Sequence, residues 1–153
     1  MAISNTIYRF LELKVDLTTD ERHPAFVEYV KESNIRNYYN TVSGMLVKTD
    51  TEVIQIKDKN VTVFNLFLKD EDEIIKVKMY PSEAVYSLIS SLAGINKNIK
   101  VKIEIGKRKA QSGFDFAKPN VTQNDKRIEW KIDVRDIPKD EKEEYFSKLF
   151  KTI

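Results

Sequence analysis

Short segments in which apolar and polar residues alternate strictly constrain this chain more than any other feature of its sequence. Residues 11–17 read Leu-Glu-Leu-Lys-Val-Asp-Leu, and in residues 99–105 isoleucine or valine alternates with lysine or glutamate. Because successive side chains of a β-strand point to opposite faces, this pattern is typical of strands with one buried face. Similar alternation occurs over residues 39–57, 61–69, 74–80 and 128–135. The sequence therefore predicts a mainly β protein.

Two segments instead repeat their apolar residues with the period of an amphipathic helix. The first begins after Pro81, where Ser82 is a suitable N-cap, and its apolar face consists of Val85, Leu88, Ile89 and Leu92. The second covers residues 139–153. Residues 25–30 are expected to form a short helix or an irregular segment, and Gly44 predicts a bulge or sharp coil in the strand around it.

Composition and motifs exclude several classes of protein. The 153 residues, 41% of them hydrophobic, are enough for one ordinary domain with an extension. No apolar run approaches the ~20 residues that span a bilayer, and the N-terminus lacks the features of a signal peptide. We therefore expect a cytoplasmic protein without membrane contact.

Catalytic and metal-binding signals are equally scarce. The chain has no cysteine, its one histidine (His23) has no evident nucleophile or base beside it, and no P-loop or HExxH motif occurs. The acidic residues 70–73 are interpreted as a solvated turn. We expect a protein that is not an enzyme and needs no cofactor and no metal ion.

The order of three strands, one helix and two strands resembles the oligonucleotide-binding (OB) fold, a five-stranded Greek-key barrel. In particular, residues 38–135 are similar in element order to single-stranded DNA-binding proteins of phages and conjugative plasmids. The resemblance implies an N-terminal extension over 1–36, an OB-fold-like barrel over 37–136 with its helix between strands 3 and 4, and a C-terminal amphipathic helix over 137–153. An SH3-like barrel and an α+β sheet are the alternatives.

Strand alternation places basic and aromatic residues together on one predicted face. In the third predicted strand, Lys76 and Lys78 lie on the face opposite to the apolar residues. In the second predicted strand, Phe67 points to the same outer face. Rings that stack on bases and ammonium groups that meet phosphates are what single-stranded nucleic acid requires. The candidate binding residues on the strands are Tyr39, Asn65, Phe67, Lys76, Lys78, Tyr80, Lys100 and Lys102.

The segment 106–127 is predicted to be a long loop between the fourth and fifth strands. Net charge is only +2, but basic residues concentrate from 97 to 109, and acidic ones gather at 70–73 and 140–144. A long loop inside a compact domain is usually functional or disordered. Its candidate binding residues are Lys107, Arg108, Lys109, Phe114, Phe116 and Lys118.

Each of these residues also has a purely structural interpretation. Phe67 can pack under the N-terminal extension or the C-terminal helix, Tyr80 can cap the barrel, and the lysines can form an ordinary solvated face that guards against aggregation. Phe114 and Phe116 can pack on each other, and Trp130 is expected in the core.

The sequence therefore predicts non-catalytic binding of single-stranded DNA, with duplex DNA and RNA as further possible ligands. The alternative is an OB-like module that binds a protein of a phage or conjugation apparatus. We also expect self-association, for which the N-terminal extension is the candidate element because an unpaired strand can add to a neighbour's sheet.

Overall fold

The computed structural model describes residues 6–15, 25–29, 36–109 and 115–153, and these residues form a mainly β fold with a C-terminal helix, as predicted. The strands are β1 (Ile7–Lys14), β2 (Ala25–Tyr29), β3 (Arg36–Tyr39), β4 (Thr41–Ile56), β5 (Lys59–Asp70), β6 (Glu73–Met79), β7 (Val101–Lys109), β8 (Asp115–Gln123) and β9 (Lys126–Arg127). The helices are α1 (Glu83–Leu92) and α2 (Lys142–Lys151), with two short 3-10 turns at Val134–Asp136 and Lys139–Glu141.

These strands form one mixed sheet in the order β3-β2-β1-β6-β5-β4-β7-β8-β9. Within the described residues every neighbouring pair is antiparallel except β1 and β6, which run parallel. Only Asn40 separates β3 from β4 along the chain, although β3 is the first strand of the sheet and β4 the sixth. The sheet must therefore curl until these two strands meet.

Strand β4 belongs to both halves of the sheet. Residues 41–44 pair with β7, and residues 45–56 pair with β5, with a register shift between Leu46 and Lys48. A Cβ atom added to Gly44 would lie 2.8 Å from the carbonyl oxygen of Lys69, so glycine allows the two backbones to approach closely. The irregularity expected around Gly44 is confirmed.

Both helices pack on the inner face of the sheet and complete its core. Ser82 Oγ accepts a hydrogen bond from the backbone N–H of Val85 and caps α1, as its sequence predicts. The rings of Phe64 and Phe150 meet edge to face at 5.4 Å, and those of Tyr86 and Phe146 stack at 4.8 Å. Burial raises the pKa of Tyr86 to about 12. Neither described helix has the length and apolarity needed to cross a membrane.

Three predicted segments differ from the structure. Residues 25–29 form strand β2 rather than a short helix or an irregular segment, because pairing with β1 places Phe26 opposite Leu13 in the core. The expected loop 106–127 is largely the hairpin β7–β8. The segment 128–135 is not a strand, and Trp130, expected in the core, is exposed.

The first 36 residues, expected to form an extension, supply β1 and β2 to the common sheet. Leu11 and Leu13 of β1 are buried in the same core as the residues of β5 and β6. The alternation over 11–17 therefore belongs in part to a strand that begins earlier, at Ile7, and ends at Lys14.

Candidate nucleic-acid interface

Strands β5 and β6 bring four candidate residues to the outer face of the sheet. Phe67 lies opposite Lys76 in the β-ladder, and Asn65 lies opposite Lys78. The residues between them, such as Leu66 and Val77, are fully buried against the helices. The structure therefore confirms which side chains of these two strands point inward and which point outward.

Strand β1 adds aromatic side chains to the same face. Phe10 lies opposite Lys76 and is 54% exposed, and Tyr8, two residues earlier, is also exposed. Neither ring is among the residues predicted to bind, because both lie in the segment that was expected to be an extension outside the sheet. If the alternation over 11–17 is extended by one residue toward the N-terminus, Phe10 falls on the same outward face as Glu12.

One line of side chains crosses six strands on this face, and we call it the outer row. Lys48 lies opposite Phe67, which lies opposite Lys76, which lies opposite Phe10. One step beyond the paired residues Leu11 and Glu28, the register places Tyr29 beside Phe10, and Tyr29 lies opposite Arg36. The members of the outer row are Lys48, Phe67, Lys76, Phe10, Tyr29 and Arg36, three cations and three rings.

Cations and rings are in contact along the outer row. The Nζ atoms of Lys48 and Lys76 lie 4.6 and 5.8 Å from the centre of the Phe67 ring. The guanidinium carbon of Arg36 lies 5.2 Å from the centre of the Tyr29 ring. Lys48 Nζ is 4.0 Å from Asp50 Oδ2, whereas Lys76 and Arg36 form no ion pair with any carboxylate in the described part of the chain.

Beside the outer row, carboxylates outnumber cations: Asp50, Glu52 and Glu12 lie around one lysine, Lys78. Asn65 is only 3% exposed, and its Nδ2 donates to Asp50 Oδ1 at 2.9 Å and to Glu52 Oε1 at 3.3 Å. Lys78 Nζ lies 3.6 Å from Glu52 Oε1, and Glu12 is opposite Lys78 in the ladder. Lys78 and the amide nitrogen of Asn65 are thus near the outer row but already engaged within the protein.

Two tyrosines among the candidates lie in different environments. Tyr80 is half-buried, and Lys78 Nζ lies 5.9 Å from the centre of its ring, at the end of β6. Tyr39 lies opposite Phe26, on the inner face of the sheet, and its Oη donates to Glu28 Oε1 at 3.2 Å. The structure therefore places Tyr39 away from the outer row.

The other described lysines among the candidates lie on β7, on β8 or just before β7. Lys100 precedes β7 and pairs with Asp70 at 3.3 Å. Lys102 is exposed in β7 and lies opposite Ser43 of β4. Lys118 is half-buried in β8, opposite Gly106.

The cluster expected in the loop is described only in part. The backbones of residues 107–109 and 116 belong to β7 and β8, with Arg108 opposite Phe116 in the ladder, but the side chains of Lys107, Arg108, Lys109 and Phe116 lie outside the description. Phe114 lies outside the described residues altogether. Of the described residues, no three histidine, cysteine, aspartate or glutamate side chains are grouped so that they could hold a metal ion.

Comparison with known proteins identifies no relative of this chain. No protein-family model matches it, and no curated protein or solved structure matches it either. What this interface can bind therefore follows from the chemistry of its own residues.

Proposed function

We propose that this protein binds single-stranded DNA without catalysing a reaction, and that the outer row is its main binding surface. The observation that carries the proposal is the register, which places Phe67, Lys76 and Phe10 side by side on one outer face. A stacked base contributes ~1–3 kcal/mol, and stacking tolerates any sequence because every base has a π face. The cations beside the rings are suited to phosphates, whose neutralisation releases counterions.

The spacing of the rings supports an unpaired strand as the ligand. Neighbouring strands lie ~4.8 Å apart, so Phe67 and Phe10, two strands apart, are separated by ~10 Å with Lys76 between them. A chain of separate bases can place one base on each ring and a phosphate at the lysine. In a duplex the bases are stacked on each other, and their faces are not available to these rings.

An OB-like arrangement is part of the same proposal. Strands β4, β5 and β6 form an antiparallel meander, and α1 and β7 follow in the order that the resemblance implies. With β4 as the first strand, β5 and β6 correspond to the second and third strands, which carry the ligand surface in OB-folds. The outer row crosses both of them.

A protein partner accounts less well for this surface. The fully buried centres of protein–protein interfaces are depleted in charged residues, and lysine is among the depleted types. The outer row instead places Lys76 between two exposed or half-exposed rings, and no described carboxylate pairs with it.

The first test compares stacking with simple packing at Phe67. Binding of fluorescently labelled oligo-dT is measured by anisotropy for Phe67→Ala and for Phe67→Leu, which keeps most of the apolar volume without the ring. If the ring stacks on a base, both variants should weaken binding by about 5- to 150-fold, the equivalent of ~1–3 kcal/mol. Two results would contradict stacking on an unpaired base. One is that the wild-type protein binds duplex DNA as tightly as oligo-dT, and the other is that Phe67→Leu binds oligo-dT with the affinity of the wild type.

The second test uses two lysines of the same strand. Because Lys76 has no described carboxylate partner, Lys76→Ala should lower the slope of log K against log salt concentration by about 0.7, the value for one phosphate contact on a single strand. Lys78→Ala should change the slope less, because Glu52 already lies 3.6 Å from its ammonium group. Lys151→Ala, exposed on α2, serves as the control for a simple change of charge. Equal slopes for all three variants would show that the outer row does not contact phosphates.

A further inference from the structure

The amide nitrogen of a buried asparagine fixes two carboxylates beside the outer row. Asn65 is only 3% exposed, and its Nδ2 donates to Asp50 Oδ1 at 2.9 Å and to Glu52 Oε1 at 3.3 Å. Its Oδ1 atom is also buried and accepts no hydrogen bond from the described part of the chain. Packing alone does not explain this residue, because an apolar side chain at the same position would leave no buried acceptor unpaired.

Asp50 is the carboxylate that lies next to the Phe67 ring. In the ladder, Phe67 lies opposite Lys48 and Asn65 lies opposite Asp50. Asp50 and Phe67 are therefore diagonal neighbours on the outer face, ~7–8 Å apart and within reach of an aromatic side chain. Lys48 Nζ lies 4.6 Å from the centre of the Phe67 ring and 4.0 Å from Asp50 Oδ2. The edge of a base that stacks on Phe67 can therefore reach the Asp50 carboxylate.

This carboxylate is held in place and still able to accept further hydrogen bonds. Its Oδ1 accepts from Asn65, and its side chain is 46% exposed. Within the described residues, Oδ2 has one neighbour of opposite charge, the Lys48 ammonium group at 4.0 Å. Each carboxylate oxygen has about two acceptor positions. A group that is already fixed loses little freedom when it binds a ligand.

A carboxylate beside a stacked base selects bases by the donors on their edge, because an ionised carboxylate accepts hydrogen bonds and donates none. Of the four DNA bases, guanine alone presents two adjacent donors, its N1–H and its 2-amino group, which the two oxygens of one carboxylate can accept together. Thymine presents a single N3–H between two carbonyl oxygens, and a carboxylate repels those oxygens. Asp50 therefore favours guanine over thymine.

The charges around Phe67 fit a base edge on one side of the ring and a phosphate on the other. On the β4 side, Asp50 and Glu52 repel phosphates. On the β6 side, Lys76 lies opposite Phe67 and pairs with no carboxylate in the residues that the structure describes. A strand whose phosphates lie near Lys76 can point the edge of a stacked base toward Asp50.

We infer that Asp50, positioned by Asn65, recognises the edge of the base that stacks on Phe67 and makes the protein prefer guanine to thymine at this position. The inference rests on the proposed function, and it adds a base preference to a surface whose stacking and phosphate contacts tolerate any sequence. Asp50 is then the residue that determines specificity, and Asn65 is a positioning residue.

The test compares three fluorescently labelled oligonucleotides of about 9 nucleotides, within the site size of one OB-fold. All consist of thymine except at the centre, which carries thymine, guanine or hypoxanthine. Hypoxanthine is guanine without its 2-amino group, so it separates recognition of the edge from the stronger stacking of a purine. By anisotropy we expect the guanine oligonucleotide to bind about 5- to 150-fold more tightly than the thymine one. The hypoxanthine oligonucleotide should lose most of this advantage.

Asp50→Asn and Glu52→Gln form a matched pair of variants. Each removes one negative charge from a side chain bonded to Asn65, and each keeps an oxygen that can accept from the Asn65 amide. Asp50→Asn should make the guanine and thymine oligonucleotides bind equally. Glu52→Gln should keep the preference, because Glu52 lies opposite Val63, one step farther from Phe67. Asn65→Leu should reduce the preference while oligo-dT still binds, an outcome that a purely structural role would not produce.

The outcomes separate this inference from the proposed function. If the three oligonucleotides bind alike, or if Asp50→Asn keeps the preference, the inference is wrong, and the outer row stands as long as Phe67→Ala weakens binding of oligo-dT. Loss of the preference in Glu52→Gln would overturn the assignment to Asp50. If no oligonucleotide binds, both proposals are wrong. Should Asp50→Asn fail to fold by circular dichroism, guanine against hypoxanthine in the wild type and in Glu52→Gln still decides the question.

Discussion

The guanidinium of Arg9 joins three strands at the inner face of the sheet. Its Nε donates to Glu28 Oε2 at 2.7 Å and its NH2 group to Glu28 Oε1 at 3.0 Å, and its other amino group reaches Glu73 Oε2 at 3.4 Å. The hydroxyl of Tyr39 donates to the same Glu28 carboxylate. Because the Glu28 side chain is only 17% exposed, this two-point ion pair fixes β1 against β2 more firmly than a surface pair would.

This carboxylate should make the stability of the fold depend on pH in the acidic range. Its hydrogen bonds with Arg9 lower the pKa of Glu28 below its ordinary value of 4.5. The stabilisation is therefore fully present above that value and is lost as the pH falls through the lower pKa of the folded state. We expect the melting temperature, followed by circular dichroism, to fall more steeply below pH 4.5 in the wild type than in Glu28→Gln. Glu141→Gln, at an exposed position, is the control, and equal pH profiles for the wild type and Glu28→Gln would contradict the assignment.

At the scale of the element, β4 decides how the two parts of the sheet are joined. It is sixteen residues long, pairs with β7 at one end and with β5 along the rest, and changes register between the two. The close approach at Gly44 lets one strand serve both neighbours.

Two glycine-to-alanine variants test this role of Gly44. An added Cβ would lie 2.8 Å from a backbone oxygen of β5 at Gly44, but at an ordinary 3.7 Å from the carbonyl oxygen of Lys118 at Gly106. We expect Gly44→Ala to lower the free energy of unfolding by about 1–3 kcal/mol, the usual cost of overpacking. Gly106→Ala should change it by no more than about 1 kcal/mol. Urea denaturation measures both, and equal effects would show that the contact at Gly44 relaxes without strain.

For the whole molecule, α2 is part of the core and not an appendage. Phe146 and Phe150 are fully buried, Thr49 Oγ1 donates to the carbonyl oxygen of Phe150 at 2.8 Å, and the backbone N–H of Thr62 donates to Glu143 Oε1 at 2.7 Å. The apolar stripe of this helix is therefore buried against the chain's own sheet, behind the outer row.

Loss of one ring from this contact should destabilise the whole fold. Phe150→Ala removes the edge-to-face partner of Phe64 and leaves a cavity, so we expect the free energy of unfolding to fall by about 3–5 kcal/mol. Lys151→Ala, the exposed neighbour on the same helix, should change it by less than about 0.5 kcal/mol. A single cooperative transition in both variants would show that sheet and helix unfold together, and a wild-type midpoint for Phe150→Ala would contradict this packing.

Much of the local structure could be predicted from residue patterns. The alternation in β5, β6 and β7 identified which side chains face inward, and Phe67 and Lys76 were assigned to one face for that reason. The same alternation gave a wrong prediction where tertiary contacts hold the backbone in a conformation other than a strand. Residues 128–135 alternate like a strand, but the hydrogen bonds of Ile132 with Ser90 and of Ile128 with Val121 hold this segment against α1 and β8, and Trp130 is exposed.

The sequence by itself determined the direction of each side chain relative to its own strand, because the two-residue period depends only on the local backbone. Only the tertiary structure decided which strands are neighbours, because pairing joins residues that are far apart in the chain. Phe10 and Lys76 are separated by 66 positions in sequence and meet because β1 runs parallel to β6. The same long-range pairing turned Tyr39 inward, made Phe10 and Tyr29 part of the outer row, and so gave the candidate interface its composition.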